Sequence, residues 1–286
     1  MNYSTAQWQQ KAKEIPLDAE SIRLRRLIIR TLQCGNRGHG PTAISCIEML
    51  RVLYNDIMKY NPKDPAWSER DRFILSKGHG CIAQYVMLAE KGFFPKAELW
   101  KFCKSGALLG GHPEHKIPGV ELSTGSLGHG LPVGVGFALN AKIDSAAYRT
   151  FVVIGDGESG EGSVWEAALY AAKHKLDNLI VLVDYNKQLT YSTTFEVLDL
   201  EPLADKWRSF GFAVKEINGH DIHELKSTLL NIPLEKNKPT AIICHTVKGK
   251  GIPMLEGNFA WHHKSSIAEE DFAKLYEPLG GPWRDE

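Results

Sequence analysis

The sequence predicts an α/β fold, an open and mainly parallel sheet with helices on both faces. Three observations lead there. The runs TFVVI (150–154), NLIVLVD (178–184) and TAIICHT (240–246) are continuous apolar, β-branched stretches. They lack the alternation of a half-exposed strand and so imply strands covered on both sides. Helical patterns separate them, at 163–174 and 222–230, which is the order a parallel sheet requires. Polar turns follow Ile154, Asp184 and Thr246, at the carboxyl edge where such sheets bind ligands.

From the N-terminus, residues 20–34 form an amphipathic pattern with Leu24, Leu27, Ile28 and Leu32 on one face. A glycine-rich break over 34–41 precedes a second helix at 43–57. RFILS (72–76) is a short strand, and the turn Lys77-Gly78-His79-Gly80 feeds a helix to about residue 90. Residues 104–136 are too rich in glycine for helix or strand interiors, so they predict a loop system that brings backbone close to a ligand. Small apolar residues from Leu131 (VGVGFALNAKI) mark a tightly packed helix. A further strand is expected at 212–217. No linker divides the chain, so residues 1–286 are expected to form one domain with a helical N-terminal segment.

Composition narrows the functions. Hydrophobic residues make up 43% and charged residues 24%, ordinary for a globular protein, and the formal net charge is 0. No global field then favours nucleic acid or an acidic membrane. The first twenty residues lack the apolar core of a signal peptide, and no run is long enough to span a bilayer. Cys34, Cys46, Cys81, Cys103 and Cys244 are odd in number and scattered, which argues for reduced thiols and a cytoplasmic location.

Directly after TFVVI comes Gly155-Asp156-Gly157-Glu158-Ser159-Gly160-Glu161-Gly162, and Asn186 stands at the end of the next strand. A glycine turn there lets backbone N–H groups approach phosphate oxygens. Yet the turn is acidic and holds no lysine, so a bare diphosphate would be repelled. A Mg²⁺ or Ca²⁺ ion resolves the conflict, using Asp156, the amide oxygen of Asn186 and a backbone carbonyl. The bland alternative is a tight turn with an unremarkable loop asparagine. A dinucleotide site fits worse, because no GxGxxG follows a first strand.

Several of the histidines flank glycine: His39, His79, His112 and His129. One such residue alone is usually surface. Their repetition suggests imidazoles converging on a small polyhydroxylated ligand with a carbonyl to protonate. A zinc cluster lacks the necessary spacing.

These residues resemble the thiamine-diphosphate enzymes, and most closely the transketolase family, over about residues 20–265. GNRGHGPTA, LSKGHG and GGHPEHKIPGVELSTGSLGHG carry the likeness, with the Gly-Asp-Gly turn and WHHKS. The resemblance implies the diphosphate-binding type of thiamine-enzyme fold. It implies metal ligation by Asp156, Asn186 and the carbonyl of Gln188, with Mg²⁺, Ca²⁺ or Mn²⁺ as the ion. Cofactor contacts would come from His79, Gly125, Leu127, Gly157, Glu158, Asn186 and His262, the last preferred over His263. His39, His79 and His112 would serve the substrate and the chemistry. Glu161 and Glu166 match acidic residues that connect two active sites across a subunit interface, although acidic residues at a helix start are stabilising in any case. The chain departs from the family at Gly40, where proline is common, and at His129, where glutamine is common.

The family's activating glutamate and pyrimidine pocket belong to a second α/β domain, for which this chain has no counterpart, and its arginines for the sugar phosphate are not found here either. The resemblance therefore implies a split transketolase moving a two-carbon ketol unit between sugar phosphates. Its C-terminal subunit would supply the missing half in an α₂β₂ assembly. The competing expectations are a 2-oxo acid dehydrogenase α subunit, which lacks the GHPE…TGSLG stretch, and a non-catalytic regulatory subunit.

Overall fold

The structure, a computed structural model, describes residues 3–284. Five strands form one parallel sheet in the order β1-β2-β3-β5-β4. They are β1 (Arg72–Leu75), β2 (Thr150–Gly155), β3 (Leu179–Tyr185), β4 (Ala213–Asn218) and β5 (Thr240–His245). The four strands other than β4 are buried along their whole length, as their unbroken apolar runs require. β4 takes the edge opposite β1, and its exposed Lys215 suits that position.

Strand parity divides the core into two layers. Phe73, Phe151, Val153, Leu182 and Ile242 face one layer; Ile74, Val152, Ile154, Val181 and Ile243 face the other. The first layer is filled by α2 (Ala19–Gly35), α3 (Gly40–Val52), α4 (Cys81–Glu90), α9 (Ile222–Leu229) and α10 (Glu269–Tyr276). The second is filled by α5 (Gly130–Ile143), α6 (Gly162–Lys173) and α8 (Leu203–Ser209). Each large side chain so buried contributes roughly 1.5–3 kcal/mol relative to exposure.

Local signals explain the ends of the helices. Asp18 caps α2 by accepting from the Ser21 N–H at 2.7 Å, and Asn36 closes it in the left-handed region at φ 52°. Pro41 sits in the first turn of α3, where its missing N–H costs nothing. The helix expected over 43–57 stops as an α-helix at Val52 and continues as one π turn, Leu53–Ile57. A helix not anticipated from the sequence, α1 (Thr5–Glu14), starts with a Ser4–Gln7 capping box. Its Trp8 stacks on His245 at the end of β5, with centroids 4.8 Å apart.

The five cysteines are unpaired. No helix among the described residues is long and apolar enough to cross a membrane.

Candidate active site

Four chain segments leave the carboxyl edge of the sheet together. They follow β1 (Ser76–His79), β2 (Asp156–Glu158), β3 (Asn186–Gln188) and β5 (Thr246–Lys248), and with the 125–127 loop they enclose a cavity of about 430 Å³. Asp156, Gly157, Glu158, Asn186, Gln188, His39, His79, His112, Gly125, Leu127, Glu161 and His262 all line it. Residues up to 223 positions apart are thus brought to one wall by the parallel topology (residue 39 to residue 262).

The oxygen donors expected for a divalent ion are held before any ion arrives. Asp156 Oδ1 accepts from the Gly157 N–H at 2.7 Å, and its Oδ2 accepts from the Lys187 N–H. Asn186 Oδ1 accepts from the Gln188 N–H at 3.1 Å, which fixes the orientation of the side-chain amide. Burial, and then the neighbouring Asp184 charge, push the Asp156 carboxyl up to about 6. A bound dication would relieve that penalty. One carboxylate, one amide and one carbonyl are hard oxygen ligands, so the set fits Mg²⁺, Ca²⁺ or Mn²⁺ rather than zinc. Among the described residues no group of three His, Cys, Asp or Glu side chains is placed to hold a metal.

Two lysines supply the positive charge that the Gly-Asp-Gly turn lacks. Lys248, after β5, is buried and donates to the carbonyls of Gln188 at 3.3 Å and Leu189 at 3.2 Å. Burial brings its ammonium down to about 8. Lys77, after β1, is fully buried and paired with Asp184. Burial alone would lower Lys77, but the Asp184 charge more than offsets it and leaves the ammonium raised. Asp184 also accepts from Ser45, Thr246 and, at 3.3 Å, Asn186 Nδ2. It therefore ties α3, β3 and the loop after β5 together beneath the cavity. Sequence reasoning missed Lys248 and treated Lys77 only as a turn residue. The available signal was their position: each lysine follows a buried strand at the same sheet edge.

The histidines form a ring. His39 stands at the centre, with ring centroids 5.3 Å from His79, 6.2 Å from His112, 5.3 Å from His262 and 4.6 Å from His263. Burial pulls His39 down to about 3, helped by His262, His263 and His112. Burial, then Lys248, brings His262 to about 4, and burial also lowers His79 and His112. His39, His79, His112 and His262 are therefore neutral near pH 7, each with one donor and one acceptor nitrogen. Lys248 Nζ lies 2.9 Å from His262 Nδ1, which must accept, leaving the proton on Nε2 beside Thr190. Neutral imidazoles suit hydroxyls and a carbonyl better than an anion.

Residues 18–284 match the family described as the transketolase thiamine diphosphate binding domain. The chain belongs to the transketolase family. A protein of Phocaeicola vulgatus described as one subunit of apulose-4-phosphate transketolase is 42% identical over 254 residues, covering 89% of this chain and 90% of that protein. The protein of the same description from Actinobacillus succinogenes is 44% identical over 258 residues, with 90% and 93% covered. The crystal structure of Campylobacter jejuni transketolase superposes with a TM-score of 0.84 at 32% identity, covering 99% of this chain and 44% of that one.

As a transketolase domain, the chain gives its remaining residues unequal positions. Glu158 is buried, and its carboxylate accepts from Ser76, from Gly128 N–H at 2.8 Å and from Gly155 N–H at 3.2 Å. That side chain clamps the Gly-Asp-Gly turn to the 125–130 loop. Glu161 is exposed at the cavity rim, whereas Glu166 is exposed on α6 and does not line the cavity. His129 is exposed at the start of α5, with Nδ1 3.0 Å from the Leu127 carbonyl oxygen, and also lies off the cavity. His262 faces the cofactor-type cavity, while His263 lines an adjoining one.

Proposed function

We propose that this chain, as one domain over residues 1–286, is the diphosphate-holding subunit of a split transketolase. With a separate C-terminal subunit it transfers a two-carbon ketol unit from a ketose phosphate to an aldose phosphate. The observation that carries the reading is the single cavity joining an oxygen-donor metal set, two buried lysines and a ring of neutral histidines. The relatives described as single subunits of a transketolase match this chain over nearly their whole length, which supports the split.

In this reading Asp156 and Asn186 side-chain oxygens and the Gln188 carbonyl hold Mg²⁺, or Ca²⁺ or Mn²⁺ in its place. Gly157, Glu158 through its main chain, Asn186, His79, His262 and Lys248 hold the diphosphate. Gly125 and Leu127 offer main-chain atoms to the aminopyrimidine. Thiamine diphosphate supplies the nucleophilic carbon, and the partner's domain supplies the glutamate that activates it. His39 and His112 bind substrate hydroxyls and, being neutral, can give or take a proton at the reacting oxygens. Orientation and exclusion of water are this chain's main contributions to rate.

The partner surface in this reading surrounds Glu161 and Glu166. Leu169 and Tyr170 of α6 are 59% and 47% exposed, and Phe195 and Leu198 are 75% and 55% exposed. Leu198 reaches the Gly160 turn, next to the cavity-lining Glu161. Patches of this kind mark interfaces. An α₂β₂ assembly would bury them, with Glu161 and Glu166 linking active sites across the interface. The setting would be cytoplasmic.

The test is reconstitution. The purified chain alone should bind thiamine diphosphate weakly with Mg²⁺ and show no ketol transfer; adding the C-terminal subunit should restore it. Full activity of the chain alone refutes the split. Asp156→Ala should remove the metal-dependent heat of cofactor binding, and unchanged calorimetry would sink the metal assignment.

A further inference from the structure

Asn186 and Gln188 line the cavity, and Lys187 between them does not. Its backbone lies in the left-handed region at φ 65°, where a side chain with a Cβ is disfavoured. From this turn the chain reverses on itself: Leu189 N–H donates to the Ser192 carbonyl at 2.9 Å, and Gln188 pairs with Thr193. The conformation of Lys187 therefore decides where the Asn186 and Gln188 oxygens stand relative to each other.

Every polar group of Lys187 is tied. Its N–H donates to Asp156 Oδ2, and its carbonyl accepts from the Thr194 N–H at 3.1 Å. Its Nζ turns back to the carbonyl of Tyr185, the last residue of β3, at 2.8 Å, and lies 3.0 Å from His245 Nδ1 at the end of β5. The partners of His245 fix the direction of each bond. An ammonium can only donate and a carboxylate can only accept. His245 Nε2 lies 2.9 Å from Glu216 Oε2 on β4, so the ring donates to Glu216 at Nε2 and accepts from Lys187 at Nδ1. That ring is buried against Tyr185, with centroids 5.4 Å apart, and against Trp8 of α1, at 4.8 Å and nearly parallel. α1 is fastened in turn, because Asn218 Nδ2 donates to the Lys11 carbonyl at 3.1 Å. The Thr5 hydroxyl donates to Glu201, which also accepts from the Tyr185 hydroxyl at 2.7 Å.

Resting on the metal reading given above, we propose that Lys187 is the positioning residue of the metal loop. His245 grips its ammonium, and that grip holds the left-handed turn presenting the Asn186 and Gln188 oxygens to the ion. The ammonium is engaged by Tyr185 and His245 outside the cavity, so it serves the loop and not the diphosphate. β4, β5 and α1 thus act on the affinity for an ion that none of them touches.

The test is the Mg²⁺ affinity of the reconstituted two-subunit enzyme at a fixed thiamine diphosphate concentration, measured by calorimetric titration. Lys187→Ala loses the anchor yet keeps a Cβ in the left-handed turn, and should raise the Kd for Mg²⁺ about tenfold. Lys187→Gly loses the same anchor but adopts the turn freely, so its Kd should lie within about threefold of the wild type. His245→Phe keeps a ring against Trp8 and removes the acceptor. It should match Lys187→Ala, and the two changes together should weaken binding no further. Equal affinity in the alanine and glycine variants, whether normal or weak, overturns the proposal. So does a lowered melting temperature with unchanged Mg²⁺ affinity. If the wild type binds no Mg²⁺, the metal reading fails instead. The positioning role is then judged by hydrogen exchange at the amides of residues 187, 189 and 194 in the cofactor-free chain. Faster exchange in Lys187→Ala than in Lys187→Gly upholds it, and equal exchange overturns it.

Discussion

Replacing Lys248 by methionine should weaken cofactor binding without weakening the fold. The side chain is only 5% exposed, and its ammonium rests on two loop carbonyls and the Nδ1 of His262. Among the described residues no carboxylate pairs with it, and burial brings it to about 8 from its ordinary 10.5. That shift corresponds to a penalty of about 3 kcal/mol on the charged form. Methionine keeps most of the volume and removes the penalty, so the cofactor-free melting temperature should hold or rise. The expected rise is about 2 °C for each kcal/mol recovered. In the proposed holo site the same ammonium makes a charge-assisted contact worth about 1.5–3 kcal/mol. The dissociation constant for thiamine diphosphate at saturating Mg²⁺ should therefore rise roughly 10- to 150-fold, as read by calorimetric titration. A melting temperature lowered by several degrees with unchanged affinity would show that Lys248 holds the loop rather than the ligand, and the reasoning would be wrong.

Two further perturbations test the scaffold. Gly125 has φ +150°, and an added Cβ would stand 3.0 Å from the His112 ring. Gly125→Ala should displace that imidazole and lower kcat/KM about 100-fold in the reconstituted enzyme, while a near-normal rate would show that the loop absorbs the methyl. Glu48 is buried against Arg25 and His220, and His220 Nε2 in turn accepts from the Val247 N–H at 2.9 Å, bracing the loop that carries Lys248. Burial would raise the Glu48 carboxyl, but Arg25 and His220 more than offset it and hold it at about 2, below the ordinary 4.5. A depressed carboxylate stabilises fully above 4.5 and loses that contribution as pH falls toward about 2, a loss of about 3 kcal/mol. Urea unfolding of Glu48→Gln should show lower stability near pH 7, by about 3–5 kcal/mol for the uncompensated Arg25, and a flatter decline in acid. An unaltered acid slope in the variant would assign the loss to other groups.

Much of the fold was legible because both layers of the core impress themselves on short segments. TFVVI, NLIVLVD and TAIICHT are apolar at nearly every position since alternate residues enter opposite layers. The metal-type donors were legible for a related reason: Asp156 and Asn186 each follow such a strand, and strand ends converge in a parallel sheet. α1 was not legible, because its ten residues bury only Trp8 and Ala12 and leave little apolar pattern. Glu158 was legible as an acid of the turn but not as a clamp, since its three donors come from Ser76, Gly128 and Gly155.

The sequence by itself determined the fold class, the Gly-Asp-Gly and Asn186 pair and the histidine-glycine motifs, all of which depend on residues adjacent along the chain or one strand away. Only the tertiary structure decided that Lys77 and Lys248 provide the charge, that Glu166 and His129 lie off the cavity, and that β5 separates β3 from β4. Those outcomes depend on which distant segments share one sheet edge. Strand order is set by how helices pack over both faces of the whole sheet, and no local stretch of sequence carries that information.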